Sequence, residues 1–446
     1  MTRSALFMVA AMLAVAPRLP AADIPATLTL DVALQLALEH NYAIRQARAR
    51  YEQALGVVEE NRSGRLPTLS ANAGYTRTDE GRLESFGGQT FGSPDQWQAG
   101  IQASQTVYAG GAISSAIRGS EAAREAAIAD FDASVRTALL SVQEQFYAVL
   151  LAREQIEVQE QAIQLLEEEL ANATARVEAG SGSPFDQLRA EVALANGQPP
   201  LIRARNALRL SVVELLRAAG LPAEDTAEAN VVGSLSFEAM EPTIENVLAS
   251  ARENRPELRQ LENNVDAAEY AVSGARATGR PVVGVFAGYG VQKSQFSDDF
   301  GDSVEGWQAG VQASWDIFDG NATGGRVAQA RARLQQARLE LDETSLAIDA
   351  EVRRAFLDYG EAREILIASQ KGVTQAEESV RLARSRFDAG AATQLDVLQA
   401  QVALTETRTN EALALHDANV ALARLRRAAA LEPLPAGVNV TDSETE

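Results

Sequence analysis

The chain has 446 residues, no cysteine, three tryptophans and a formal net charge of −21. Without a thiol it can build neither a disulfide framework nor a thiolate metal site. The negative balance excludes a nucleic-acid partner, which needs a basic face to meet phosphates.

In chain order, Arg3 precedes an apolar run from Ala5 to Ala16 and then the small residues Ala21 and Ala22. That arrangement predicts a signal peptide over residues 1–22, cut after Ala21 or Ala22, because Pro17 spoils the site at Ala14-Val15-Ala16. An exported chain without cysteine fits a bacterial periplasm or outer membrane. No later stretch is long and apolar enough for a transmembrane helix, so entry into a membrane would have to be through strands.

The rest of the chain is an internal duplication. Trp97-Gln-Ala-Gly-Ile-Gln-Ala-Ser104 recurs as Trp307-Gln-Ala-Gly-Val-Gln-Ala-Ser314. The same register carries Tyr108 onto Phe318, Phe146 onto Phe356, Gly180 onto Gly390 and Asp186 onto Asp396, while upstream Pro67 pairs with Pro281. The expected division is a first repeat at 23–235, a second at 236–432 and a tail at 433–446.

Each repeat opens with a helix, about 29–64 and 254–279, and then a strand hairpin, about 67–108 and 281–318. Leu69, Ala71, Ala73 and Tyr75 alternate with Ser70, Asn72, Gly74 and Thr76; Trp97, Ala99, Ile101, Ala103 and Val107 alternate with Gln98, Gly100, Gln102, Ser104 and Thr106. The second repeat offers Val283, Val285, Ala287, Tyr289 and Val291, then Trp307, Ala309, Val311, Ala313, Trp315 and Ile317. Period-two alternation marks strands. Their length and their aromatics (Tyr75, Trp97, Tyr289, Trp307, Trp315) match membrane-barrel strands with interfacial girdles. A soluble sheet with one buried face would give the same alternation. Four strands leave open edges, which lipid does not tolerate, so several chains must contribute. Two chains give eight strands with a filled interior; three give twelve strands and a lumen, lined by the Gln, Ser, Thr and Gly face.

Proline-free stretches then predict long helices at about 112–178 and 325–388, each roughly 100 Å at about 1.5 Å per residue. Small-residue breaks follow, at Ala179-Gly-Ser-Gly-Ser183 and Ala389-Gly-Ala-Ala-Thr393. Return helices of half the length come next, about 184–220 and 394–430. The opening helix of each repeat supplies the missing half of that column. Pro199-Pro200, replaced by Thr409-Asn410 in the second repeat, predicts a kink in the first return helix alone.

The pattern resembles the TolC-type outer-membrane efflux protein family. The residues that carry this are Arg386-Phe-Asp-Ala-Gly390, Thr393-Gln-Leu-Asp-Val-Leu-Gln-Ala400 and Val402-Ala-Leu404, with first-repeat partners Arg176-Val-Glu-Ala-Gly180, Ser183-Pro-Phe-Asp-Gln-Leu-Arg-Ala190 and Val192-Ala-Leu194. The resemblance implies a mainly α chain with a β-barrel portion: a trimeric, twelve-stranded outer-membrane barrel continued by a periplasmic α-helical barrel. It implies an exit duct working with a periplasmic adaptor and an inner-membrane pump or secretion ATPase. It places Asp186, Asp396 and Gln399 at a constriction near the periplasmic tips, and Gly180, Ser181, Ser183, Gly390, Ala391 and Thr393 where an adaptor docks. Gln399 and Arg189 stand where a second acidic ring would be expected, and Ala392 offers no charge for a locking ion pair.

Read physically, converging carboxylates near an axis attract cations and raise each other's pKa. Each of Asp186 and Asp396 also lies near a helix start, where an acid favours the positive end of the dipole. His40 and His416 sit in no metal-ligand spacing, and no phosphate loop, nucleophile elbow or HExxH motif occurs. The sequence therefore predicts a conduit without metal or cofactor, not an enzyme. The competing readings are a type I exit duct for polypeptides and a periplasmic coiled-coil scaffold without a pore.

Overall fold

Thr29 and Thr243 each begin a helix in the same way, the hydroxyl accepting the backbone N–H three residues on, at 3.4 Å in both cases. From these starts the two halves of the chain run through elements of matching length. Helices α1 (Leu30–His40) and α5 (Ile244–Asn254) have 11 residues each, and α2 (Tyr42–Ser63) and α6 (Pro256–Ala277) have 22. The long helices α3 (Ala112–Glu178) and α7 (Ala322–Asp388) both have 67, and the returns α4 (Pro184–Ala219) and α8 (Gln394–Ala428) have 36 and 35. These elements come from a computed structural model that describes residues 27–79, 81, 84–86, 89–91, 93–222, 230–294 and 299–431. The expected signal peptide and C-terminal tail lie outside the described residues.

The opening helix of each repeat is two helices, not one. The chain leaves helical geometry at Asn41 (φ −62°, ψ 127°) and at Arg255 (φ −69°, ψ 120°). Pro256 explains the second break, since a residue before proline is pushed out of the α region. At Asn41 no proline acts. Its side-chain amide instead donates to the Ala218 carbonyl at 2.7 Å, fastening the break to α4. The helix α4 runs on through Pro199 and Pro200.

Strands β1 (Thr68–Arg77), β4 (Asp95–Ala109), β5 (Val282–Lys293) and β6 (Ser303–Ser314) form one antiparallel sheet in the order β1-β4-β5-β6. The two hairpins are joined by pairing of β4 with β5, which leaves β1 and β6 as edges. A short extra hairpin, β2 (Glu84–Phe86) with β3 (Gln89–Phe91), fills the connection expected to be a loop. Two expectations about strand faces are corrected. A bulge between Thr106 and Tyr108 takes Val107 out of the alternation, because the extra residue has no partner. The strand β6 stops at Ser314, so Trp315 and Ile317 lie beyond it.

By packing, the chain divides into two units that cut across the repeats: Met1–Asn41 with Gln145–Leu235, and Tyr42–Glu144 with Ser236–Glu446. In the first, α1 lies against α4, and Leu28 bridges Val231. Arg205 of α4 pairs there with Glu160 of α3 at 2.8 Å. The second holds the sheet and a helical core in which α7 packs on α8, α6 and α5 around Val247, Ile348, Val352, Tyr359, Leu366 and Leu425. The Tyr359 hydroxyl donates to the Met240 carbonyl at 2.7 Å, pinning the segment ahead of α5 onto α7.

The turn from strand to long helix is left-handed in both repeats: Gly110 (φ +62°) and Gly111 (φ +98°), then Gly320 (φ +63°) and Asn321 (φ +68°). A methyl at Gly110 would lie 2.5 Å from the Arg280 Cβ and 2.8 Å from the Ala277 carbonyl, whereas Gly320 has nothing within 4 Å. Gly320→Ala is therefore expected to cost about 1–2 kcal/mol for left-handed backbone alone. Gly110→Ala adds about 1–3 kcal/mol of overpacking. The melting temperatures of the two purified variants compare them directly. Equal losses would contradict the crowding at Gly110.

Candidate functional site

Two parts of the molecule carry the functional residues named from sequence, the sheet and the helix tips. On the sheet, the register aligns the predicted apolar series apart from Val107, Trp315 and Ile317. Ala71, Ile101, Tyr289 and Trp307 are paired in one row; Leu69, Ala103, Ala287 and Ala309 form the next. Since side chains alternate across a strand, these rows share one face. In the isolated chain that face is bare, with Trp307 80% and Val311 72% exposed. Monomeric soluble proteins rarely leave so large an apolar patch uncovered. No helix among the described residues is long and apolar enough to cross a membrane.

The opposite face repeats the pattern with polar groups. Its rows are Ser70, Gln102, Gly288, Gln308 and Asn72, Gly100, Gly290, Gly306. The Thr68 hydroxyl meets that of Ser104 at 2.8 Å, which confirms that the two side chains point the same way. No strand residue of this face in the described part of the four-stranded sheet is charged. The result is a ribbon with one greasy side, one neutral polar side and two open edges.

The aromatics lie at two levels, Tyr75 and Trp97 toward the hairpin end and Tyr289 and Trp307 in the mid-strand row of Ile101. Tyr75 pairs with Trp97, the Tyr75 hydroxyl donates to Asp95 at 2.6 Å, and the Trp97 indole donates to the Phe300 carbonyl at 3.1 Å. Tyr289 pairs with Trp307 further along the strands. Trp315 departs from expectation: past the strand end, its indole N–H donates to the Gly279 carbonyl at 3.1 Å. It ties the base of the second hairpin to the end of α6 rather than continuing a strand face.

The two tips, each taken within its own unit, end their long helices identically. Gly180 (φ +72°) and Gly390 (φ +73°) turn left-handed. Ser181 N–H then bonds the Arg176 carbonyl at 2.9 Å, and Ala391 N–H bonds the Arg386 carbonyl at 2.7 Å. This is the six-to-one closure of a Schellman motif, and it explains a glycine at that position in both repeats.

Past the turn they differ. Ser183 caps α4 by accepting from Phe185 N–H at 3.2 Å, with Pro184 at the first helical position. The Arg189 guanidinium lies over the Phe185 ring, 4.8 Å from its centroid. Among the described residues the Asp186 carboxylate accepts no hydrogen bond. In the second tip, Thr393 and Asp396 form a reciprocal capping box. The Thr393 N–H and hydroxyl both donate to the same Asp396 oxygen, each at 2.7 Å. These bonds hold the Asp396 carboxyl below its ordinary value of 3.8. A depressed carboxylate contributes its capping stability in full above that ordinary value, and the contribution is lost progressively as pH falls from there through the lower folded value. Gln399 is exposed one turn further on.

Sequence reasoning placed Asp396 near a helix start but missed the reciprocal bond. The spacing of Thr393 and Asp396 could have disclosed it. It also missed an ion cluster in the second unit at the Arg255 break. Arg255, 2% exposed, bonds Glu257 at 3.2 Å and also Glu351, while Arg427 bonds Glu351 at 2.6 Å and Glu257 at 3.0 Å. Four residues from three segments close a ring, so no single stretch of sequence shows it. Among the described residues no group of metal-ligating side chains is assembled.

Comparison with known proteins agrees with this geometry. A family profile described as "Outer membrane efflux protein" matches residues 33–221 and 247–431, one segment in each repeat. The protein CyaE of Bordetella pertussis is 28% identical over 385 residues, spanning 86% of this chain and 80% of its own. The alkaline protease secretion protein AprF of Pseudomonas aeruginosa is 28% identical over 291 residues, spanning 65% and 60%. Among solved structures, the CmeC outer membrane channel of Campylobacter jejuni superposes with a TM-score of 0.80 at 16% identity, covering 93% of this chain and 88% of that one.

Proposed function

The chain belongs to the outer membrane efflux protein family, and on that premise we propose that it is the exit duct of a tripartite assembly, engaged at its tips by a periplasmic adaptor. It is an outer-membrane transport channel of TolC type and not an enzyme. Its fold class is that of trimeric channels in which each chain gives four strands to a twelve-stranded barrel, continued by a helical barrel into the periplasm.

The observation that carries the proposal is the two-faced ribbon with two free edges. Only closure with other copies satisfies the backbone of β1 and β6 in lipid. Three copies put the apolar rows on the bilayer and the neutral polar rows around a lumen wide enough to conduct. The adaptor would seat on the turns at Gly180, Ser181 and Ser183 and at Gly390, Ala391 and Thr393. An inner-membrane pump or secretion ATPase would supply the energy. In this reading the two sequence repeats, 23–235 and 236–432, are the functional modules. Each contributes one hairpin and one tip.

Asp186, Asp396 and Gln399 would line the entrance. Asp396 then has two duties, capping α8 and presenting negative charge. Asp396→Ala is expected to weaken cation selectivity and divalent-cation block in single-channel recordings. Thr393→Ala, which removes the cap at a cost of about 1 kcal/mol, should leave selectivity in place. If Asp396→Ala conducts with unchanged selectivity, the entrance role is wrong and the capping role alone remains.

A specific observation keeps polypeptide cargo in view as a second reading. AprF is named for protease secretion, and the bore face presents amides and glycines rather than charge. The closure itself is tested with cysteines, of which the natural chain has none. One cysteine on β1 and one on β6, facing across the proposed seam, should oxidise to covalent dimers and trimers. A ladder that fails to form at every register would rule out edge-to-edge closure.

A further inference from the structure

The polar face of the sheet carries one aromatic ring. Phe286 stands on β5 in the row of Thr68, Ser104 and Gly310, on the face that otherwise presents Gln, Asn, Ser, Thr and Gly, with Val282 and Val304 toward the strand ends. Its surroundings are unusually empty. The neighbours on the same face of its own strand are Gly284 and Gly288, and its cross-strand partner on β6 is Gly310. A methyl built on Gly310 would lie 2.8 Å from the tip of the Phe286 ring and 3.1 Å from its edge. The ring therefore lies down on the Gly310 backbone, and glycine is needed there to make room.

A ring held against a wall of glycines has one face covered and the other without a side chain of its own strand to cover it. An aromatic side chain that covers a cross-strand glycine strengthens the sheet, and this accounts for the covered face. The uncovered face meets the aqueous bore, where burial of apolar surface and the negative ring quadrupole are available to a passing molecule. A trimer repeats it three times at one height, in a zone with no charged side chain to compete.

We propose that Phe286 is a specificity-determining residue of the channel, a stacking platform in the bore that retards aromatic cargo relative to aliphatic cargo of the same charge. This rests on the exit-duct reading above, and the experiment separates the two. Purified channels are placed in planar bilayers, and the block by tetraphenylphosphonium is compared with that by tetrabutylammonium for wild type and Phe286→Leu. Leucine keeps an apolar cover over Gly310 while removing the π face.

In the wild type the aromatic cation should dwell longer by a factor of about two to ten, the range expected of an aromatic–aromatic contact. In Phe286→Leu that ratio should fall to near one, with open-channel conductance and tetrabutylammonium block little changed. An unchanged ratio in a conducting variant overturns the role of Phe286. A wild-type preparation that never conducts overturns the exit-duct reading and this inference with it.

Discussion

Arginine in place of Ile101 will prevent assembly of the membrane-inserted channel, whereas arginine at the adjacent Gln102 will not. Ile101 sits mid-strand on β4, between Ala71 of β1 and Tyr289 of β5, in the apolar rows. A lipid-facing arginine near the bilayer midplane costs about 2–4 kcal/mol per site, and a trimer would contain three. Gln102 lies on the other face between Ser70 and Gly288, where water and polar neighbours solvate a guanidinium. One residue along the strand thus separates a barrel that assembles from one that does not. Heat-modifiable oligomer in vesicle extracts reads both variants. If Gln102→Arg fails while Ile101→Arg assembles, the faces are reversed, and if both behave alike the sheet does not face lipid.

The second large effect is expected at Arg255. Its guanidinium is buried at the break between α5 and α6 and is charge-balanced by Glu257 and Glu351, which Arg427 also holds. The Arg427 guanidinium reaches Thr137 of α3 as well, at 3.3 Å, so the ring joins α3, α6, α7 and α8 within the second unit. Removing one partner of a buried pair leaves the other charge uncompensated, which typically costs about 3–5 kcal/mol. Arg255→Ala is expected near the lower end of that range, because Glu351 is 43% exposed and water can take over part of its solvation. Pairing Arg255→Leu with Glu257→Leu should recover a good part of the loss, since an apolar replacement of both partners has nothing left to desolvate. Denaturant midpoints of the single and double variants check this. A double variant as unstable as the sum of the singles would show that the ring acts through packing and not through charge.

Much of the architecture was written in local pattern. The long helices were legible because Ala112 to Glu178 contains no proline, and the tips because glycine stands at 180 and 390 where a left-handed turn needs it. The strands were legible because Leu69 to Tyr75 and Trp97 to Ala103 alternate without interruption. The bulge at Val107 was not, because an unpaired residue is a property of two strands and only one was being read. The strand end before Trp315 was hidden for a related reason: the apolar alternation continues to Ile317, but the partner strand begins at Val282 and offers nothing to pair with.

The breaks at Asn41 and Arg255 show two ways of reaching one shape. Pro256 announces the second. The first has no such marker and depends on an amide reaching a carbonyl of α4, 177 residues away. The return helices end alike in backbone too, with Gly220 at φ +81° and Ala430 at φ +49°, although alanine gains nothing from a left-handed turn. A duplicated sequence thus keeps the backbone while changing the side chains that hold it, and the differences gather at the tips. Ser183-Pro184 with an unbonded Asp186 stands against Thr393-Gln394 with a capped Asp396.

The most direct measurement of the central claim is planar-bilayer recording from the detergent-purified chain, with its mass determined in the same detergent. A species of three chains with one reproducible conductance level is the predicted result. A water-soluble monomer that leaves the bilayer silent would contradict it.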